Sequence, residues 1–174
     1  MSRVPTVALL CVLAAGAAPA RAGDFDAAPF RAMFETCVAQ TGTARDLETC
    51  RNAPAQTCQL ETEGGRTTLG TTACNAMEAD LWETLLSADL VAHLAWAEAL
   101  DARERPFFDA SYSKRSDSLL DAQRAWTAFR DAECRMVHDA WGSGSMRNVA
   151  ASRCHADLTA ARVIALRQLT EGVR

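Results

Sequence analysis

The chain lacks the cysteine spacings and apolar runs that mark several common classes of protein. No C-x-x-C motif occurs among its seven cysteines, which argues against a thioredoxin-like redox site and against a zinc ribbon. After one apolar run near the start, no second long apolar segment follows. Runs of β-branched residues are scarce, so no sheet is expected. We therefore predict an all-α fold without a membrane span.

Catalytic motifs are scarce as well. The G-x-S-x-G elbow of hydrolases is missing. Ser143 and Ser145 flank glycines, but this composition is typical of a turn between helices. His138 and His155 would form a zinc site only together with free cysteine thiols, which an oxidising compartment removes by pairing them. We predict no enzyme activity, no cofactor and no metal.

The first 22 residues have the pattern of a cleavable secretory signal peptide. Arg3 precedes an apolar run over 7–18, and Ala20-Arg21-Ala22 provides the small residues of a cleavage site. As a helix this run would rise only about 18 Å, which is too short for a hydrocarbon core of ~30 Å. We expect cleavage before Gly23 and a periplasmic or secreted mature protein.

Cleavage there changes both length and charge. Removing 22 of the 174 residues leaves 152, the size of one domain. All 22 acidic residues remain, whereas loss of Arg3 and Arg21 reduces the 18 basic residues to 16, so the net charge becomes −6. This charge disfavours nucleic acid and anionic membranes as partners and is compatible with a cationic protein.

The mature chain keeps six cysteines, an even number that predicts disulfides in an exported protein. Cys134 and Cys154 lie at similar distances from a Gly/Ser turn, nearly level on two antiparallel helices, so we expect a bond between them. For the other four, the shortest loops predict two pairs, Cys37–Cys50 and Cys58–Cys74.

Composition divides the mature chain into a cysteine-rich part, residues 23–72, and a long helical part, residues 73–174, which we expect to form one compact domain. We therefore predict a small helical domain stapled by disulfides, with one long helix and a C-terminal antiparallel helical hairpin. Before the hairpin, helices are predicted within 24–39, 45–51 and 72–100.

Two helices are predicted to form the hairpin. The first begins at Ser116 as N-cap and ends near Trp141, and the turn 142–145 stops it. Ser145 is expected to cap the last helix. The 3 and 4 spacing of apolar residues in the first helix predicts a packed face formed by Leu119, Ala122, Trp126, Phe129, Met136 and Ala140.

The hairpin also holds the candidate binding residues. An exposed tryptophan at a loop is a possible binding anchor, and the alternative is that it packs the turn. The candidates around this turn are Trp141, Ser143, Ser145 and Arg147. Four polar residues near the apolar stripes are expected to form a network between the helices, unless they simply face solvent: Gln123, Arg130, Thr159 and Arg162.

The segment Leu120–Cys134, LDAQRAWTAFRDAEC, closely resembles the signature helix of the LprI-like lysozyme inhibitor family. The family follows this helix with a Gly/Ser turn and then a Cys, a Thr and an Arg in one helix, which match Cys154, Thr159 and Arg162. The resemblance covers 119–169 strongly and 37–100 more weakly. The Leu-Asn and Tyr element of the family's long central helix is absent here.

The resemblance implies an exported, disulfide-bonded helical domain and, in named members, inhibition of lysozyme. It also implies that Trp126 and Phe129 pack, while Arg130, Thr159 and Arg162 join the helices. Lysozymes of the common animal type are basic and have a carboxylate-lined cleft, which an acidic partner would approach readily. We expect an inhibitor whose turn enters that cleft, with Ser145 or Arg147 at the carboxylates. The alternative is a non-inhibitory periplasmic structural or interaction module.

Overall fold

The computed structural model describes residues 25–107 and 114–173, and this part of the chain is all-helical without any strand, as predicted. The predicted signal peptide, 1–22, lies outside the described residues. None of the described helices is long and apolar enough to cross a membrane. The helices are α1 (Ala28–Gln40), a 3₁₀ helix (Ala44–Cys50), α2 (Ala53–Glu61), α3 (Thr68–Glu104), α4 (Arg115–Ala140) and α5 (Met146–Gly172).

The three long helices form an up–down–up bundle. The 37 residues of α3 extend about 55 Å at ~1.5 Å per residue. α4 runs back along α3, and α5 runs forward again, so that α3 and α5 are parallel. Three contacts in increasing order along both helices define this register: Asn75 to Val149, Asp89 to Arg167 and His93 to Thr170.

The core lies where α1, α2 and the 3₁₀ helix cover the α3–α5 pair. Trp82 of α3 is fully buried at its centre, and its ring meets the Phe34 ring edge-on with 4.7 Å between centroids. Leu47 of the 3₁₀ helix and Val163 of α5 are also fully buried in this cluster. Apolar surface from every described helix is therefore removed from water in one cluster, which is the main stabilising contribution to such a fold.

Three disulfides connect neighbouring elements, and they are the three pairs predicted from the sequence. Their Cα–Cα distances of 5.5 to 5.8 Å are typical of disulfides. The first joins α1 to the 3₁₀ helix, the second joins α2 to α3, and the third joins α4 to α5: Cys37–Cys50, Cys58–Cys74 and Cys134–Cys154.

The start of α3 packs directly on the turn that follows α2. A Cβ atom at Gly70 would lie 2.1 Å from the carbonyl oxygen of Gly64, so only glycine fits there. Gly64 itself has a φ of 70°, in the left-handed region. Because α3 already begins at Thr68, the division at residue 72 that composition indicates lies inside this helix.

Carboxylates near the C-terminal ends of α3 and α5 cap two helix starts at one end of the bundle. Ser116 was expected to cap α4, but its own backbone N–H and hydroxyl donate to the carboxylate of Asp101 in α3, at 3.1 and 2.9 Å. Glu171 of α5 accepts the backbone N–H of Ala44 at 2.8 Å, where the 3₁₀ helix begins. A negative charge at such a position satisfies an otherwise unpaired N–H group and complements the helix dipole.

These hydrogen bonds hold the pKa of Asp101 below its ordinary value of 3.8, at about 2. The backbone N–H of Ser116 contributes most, and the backbone N–H and guanidinium of Arg115 and the Ser116 hydroxyl add to it. The carboxylate thereby fixes the end of α3 to the start of α4.

Candidate binding surface on the helical hairpin

The turn between α4 and α5 is held by a disulfide and by a succession of backbone hydrogen bonds. Cys134 is fully buried, and its bond to Cys154 ties the two helices together below the turn. Gly142 adopts a φ of 55°, which ends α4, and its N–H donates to the Asp139 carbonyl oxygen at 3.0 Å. The N–H of Gly144 donates to the Trp141 carbonyl oxygen at 3.1 Å. This tip is therefore presented on a restrained support.

All residues of the tip, Trp141–Asn148, are exposed. Trp141 leaves 52% of its surface accessible, so it does not pack the turn as a buried residue would. The Arg147 guanidinium donates to the carbonyl oxygen of Gly142 at 3.4 Å, which directs it along the turn. The side chain of Ser145 makes no capping hydrogen bond, contrary to expectation, because its backbone is already helical, with a φ of −64°. The contact role of these residues stays a prediction.

Below the tip, two guanidinium groups lie over the ring of Trp126 in α4. The Arg130 group is 5.0 Å from the ring centroid and the Arg162 group 5.7 Å, which are cation–π distances. The Nε of Arg162 donates to the side-chain oxygen of Gln123 at 3.0 Å. Burial lowers the pKa of Arg162, and among the described residues its Nη2 has no hydrogen-bond partner.

Arg130 connects all three long helices. Its Nη1 donates to the carboxylate of Glu83 in α3 at 2.5 Å and to the hydroxyl of Thr159 in α5 at 3.4 Å. Its Nε donates to Asp131 beside it at 3.1 Å. The structure thus brings together the four polar residues for which the sequence predicted a network, and Trp126 with them. Their contacts join α4 to α3 and α5 and do not involve the residues of the tip.

Phe129 does not pack as the sequence and the family resemblance implied, since 52% of its surface is exposed. The reason is the rotation of α4, which the disulfide fixes. At about 100° per residue, Phe129 lies roughly 140° around the helix from Cys134, and Met136 roughly 160° from it. Of the apolar stripe predicted for this helix, only Leu119 and Trp126 turn toward the bundle.

A shallow groove of about 470 Å³ lies beside Arg130, between α3 and α5. Asp80, Glu83, Arg130 and His155 supply its charged and titratable groups, and Ala76 and Ala79 of α3 also line it. Within 25–107 and 114–173, no three histidine, cysteine, aspartate or glutamate side chains come together as metal ligands.

Within the described residues, the protein is an exclusively helical scaffold that is cross-linked by disulfides. It displays the tip of a C-terminal hairpin of helices. The family model described as lysozyme inhibitor LprI matches residues 58–166. The chain belongs to this family. It is also similar to the uncharacterized protein R02472 of Rhizobium meliloti (strain 1021), at 27% identity over 145 residues, which are 83% of this chain and 95% of that protein. No solved structure matches the chain.

Proposed function

We propose that this protein is exported to the periplasm or beyond, and that it inhibits a muramidase by binding it with the hairpin tip. The observation that carries the proposal is membership in the lysozyme inhibitor LprI family. The exposed and restrained tip supports it, because a surface that is already ordered loses little conformational entropy on binding. No catalytic step is required for this role.

Charge complementarity supports a basic lysozyme as the partner. Without residues 1–22 the chain carries a net charge of −6, which accelerates encounter with a cationic protein. Attack on a glycosidic bond requires two carboxyl groups in the lysozyme cleft. A protein that enters such a cleft and presents hydrogen-bond donors there can occupy these carboxyl groups.

The tip offers donors of this kind. Arg147 presents a guanidinium group whose fork geometry matches a carboxylate, and Ser145 adds a hydroxyl group that capping does not use. Trp141 provides a large, rigid apolar side chain beside them, of the type that dominates binding energy in many interfaces. In the proposed complex, Arg147 and Ser145 meet the catalytic carboxylates while Trp141 packs on the wall of the cleft.

The test is inhibition of cell-wall lysis by the purified, oxidised mature protein, with binding measured in parallel. We expect inhibition of a basic lysozyme and its loss in the Trp141→Ala and Arg147→Ala variants. Val91→Ala and Arg103→Ala are matched controls, because both residues are exposed on α3 and the tip does not include them. If several lysozyme types neither bind nor lose activity at micromolar inhibitor, the protein is a non-inhibitory envelope module instead.

A further inference from the structure

The hairpin tip and the turn between α2 and α3 lie at the same end of the bundle. The side-chain N–H of Gln59, in α2, donates to the side-chain oxygen of Asn75 in α3 at 3.3 Å. The side-chain N–H of Asn75 in turn donates to the carbonyl oxygen of Val149 at 3.4 Å, directly after the tip. Because α3 and α5 are parallel and pack on each other, both helices begin at this end. The buried Asn75 thus holds the turn and the tip beside each other.

The α2–α3 turn, residues 62–67, is restrained in its position as the tip is. The Cys58–Cys74 disulfide joins the two helices that flank it. Within the turn, the carbonyl oxygen of Gly64 accepts the hydroxyl of Thr67 at 2.7 Å and the backbone N–H of the same residue at 2.9 Å. A partner that binds both segments therefore meets two ordered surfaces, which lowers the entropy lost on binding.

Two leucines and two carboxylates are exposed beside this turn. At the end of α2, 63% of the Leu60 surface is accessible, and at the start of α3, 58% of the Leu69 surface. Glu61 and Glu63 are exposed as well, and neither is in an ion pair among the described residues. With the guanidinium group of Arg66, the segment carries a net charge of −1. Apolar side chains beside an excess of negative charge suit a basic partner.

The tip alone is too small to hold a protein partner stably. It has eight residues, 141–148, whereas stable complexes bury ~800 Å² and about 20–30 residues on each partner. A lysozyme that receives the tip in its cleft therefore needs further contacts with this chain. The α2–α3 turn lies beside the tip at the same end, where the rim of such a cleft would reach it.

Given the proposed inhibition of a basic lysozyme by the tip, we propose that the α2–α3 turn is a second contact, on the rim of the same cleft. Leu60 and Leu69 pack on apolar side chains of the rim, and Glu63 pairs with one of its lysine or arginine side chains. The two contacts together approach the area of a stable interface.

The experiment is binding of the oxidised mature protein to basic lysozymes of the animal type, measured by stopped flow and on an immobilised surface. The Leu60→Ala/Leu69→Ala double variant should weaken binding roughly tenfold or more, because it removes the apolar part of the second contact. The Val91→Ala/Leu169→Ala double variant is the matched control. It also removes two exposed leucine or valine side chains, but from parts of α3 and α5 far from the tip, and it should bind as the wild type does.

Glu63→Lys and Glu98→Lys distinguish a local contact from the effect of overall charge. Both glutamates are exposed, and both variants change the net charge by the same amount, so both should slow association to a similar extent. Only Glu63→Lys should also accelerate dissociation, by roughly tenfold, because it places a lysine against the basic rim. Circular dichroism verifies that each variant is folded.

Hydrogen exchange provides a measurement without substitutions. In the complex, the backbone amides of residues 61–69 should exchange more slowly, together with those of the tip. If the wild type binds and the tip variants weaken binding, while the turn variants match their controls and the turn is not protected, the turn is no contact and the proposed inhibition by the tip stands. A wild-type protein that binds no lysozyme at micromolar concentration contradicts both proposals.

Discussion

The carboxylate of Glu78, in α3, accepts the backbone N–H of Asn52 at 2.7 Å, where α2 begins. Only 1% of Glu78 is exposed, and its oxygens also accept the N–H of Ala55 at 3.1 Å and the indole N–H of Trp82 at 3.3 Å. Asn52 has a φ of 69°, so the chain turns sharply there onto the carboxylate. One buried acid thus fixes the cysteine-rich part of the chain to the long helix.

Replacement of Glu78 is expected to be strongly destabilising. Glu78→Ala leaves three N–H donors without their acceptor in a buried site, which should lower the free energy of unfolding by about 3–5 kcal/mol. Glu78→Gln should fall between this variant and the wild type, because it keeps one acceptor oxygen. Urea unfolding of the oxidised proteins measures both. Glu98→Ala, at an exposed position of α3, should change stability by less than ~0.5 kcal/mol; an equal loss there would contradict the capping role.

Asp101 should make stability depend on acid pH. Its pKa of about 2 lies below the ordinary value of 3.8, so the carboxylate stabilises the folded state above pH ~4, and this contribution is lost as the pH falls towards 2. Asp101→Asn should therefore lower the melting temperature at pH 7, and the difference from wild type should narrow between pH ~4 and ~2. Asp80→Asn, at an exposed position within α3, is the matched control. A difference that does not change with pH would exclude this linkage.

The disulfide across the hairpin should contribute to both stability and presentation of the tip. Replacing Cys134 and Cys154 together by alanine should cost about 2–4 kcal/mol, as expected when a loop of this size is no longer closed in the unfolded chain. Peptide mapping without reductant should find these two cysteines linked, and alkylation should label no thiol in the mature protein. Linkage of either cysteine to another partner would refute the hairpin arrangement.

Most of the helices were predictable from the sequence, because capping signals, glycines and apolar spacing act locally. The exception is α2, Ala53–Glu61, which lies outside every predicted helix. The turn at Gly142 ends α4 where glycine chemistry indicates, and α4 and α5 begin within a residue or two of the expected positions. Level placement on two antiparallel helices was also enough to pair Cys134 with Cys154. Each of these features depends on residues close together in sequence or on a simple rise per residue.

Features set by contacts between distant helices were not predictable in the same way. Ser116 has the residue type of an N-cap, but Asp101, fifteen positions earlier, supplies the capping oxygens. The role of Glu78 depends on the fold of a loop 26 positions away. Phe129 fits an apolar period, yet the period leaves the rotation of α4 undetermined, and its exposure follows from the Cys134 bond. One feature of the sequence already pointed to the exposure of Phe129. An alanine-rich helix face that includes two large apolar residues suits a protein interface as well as a buried core.

Salt should affect formation of the proposed lysozyme complex mainly through the association rate. Between about 0.05 and 0.5 M salt the Debye length shrinks from roughly 14 Å to roughly 4 Å, which screens the attraction between a chain of net charge −6 and a basic enzyme. Stopped-flow binding should therefore show an association rate that falls steeply with salt. An association rate that is independent of salt would remove the charge argument, although a contact at the tip would be unaffected.

Substitutions at the tip should act on the dissociation rate instead, because short-range contacts hold the formed complex. Arg147→Ala and Ser145→Ala each remove a donor to the catalytic carboxylates, and loss of a hydrogen bond to a charged group costs about 1.5–3 kcal/mol, or roughly a 10- to 150-fold faster dissociation. Neither variant should unfold the hairpin, since the Ser145 side chain makes no capping bond and Arg147 is exposed; a melting curve verifies this. Val91→Ala should leave both rates unchanged. If the tip variants dissociate at the wild-type rate while inhibition persists, lysozyme is held by another surface of this protein.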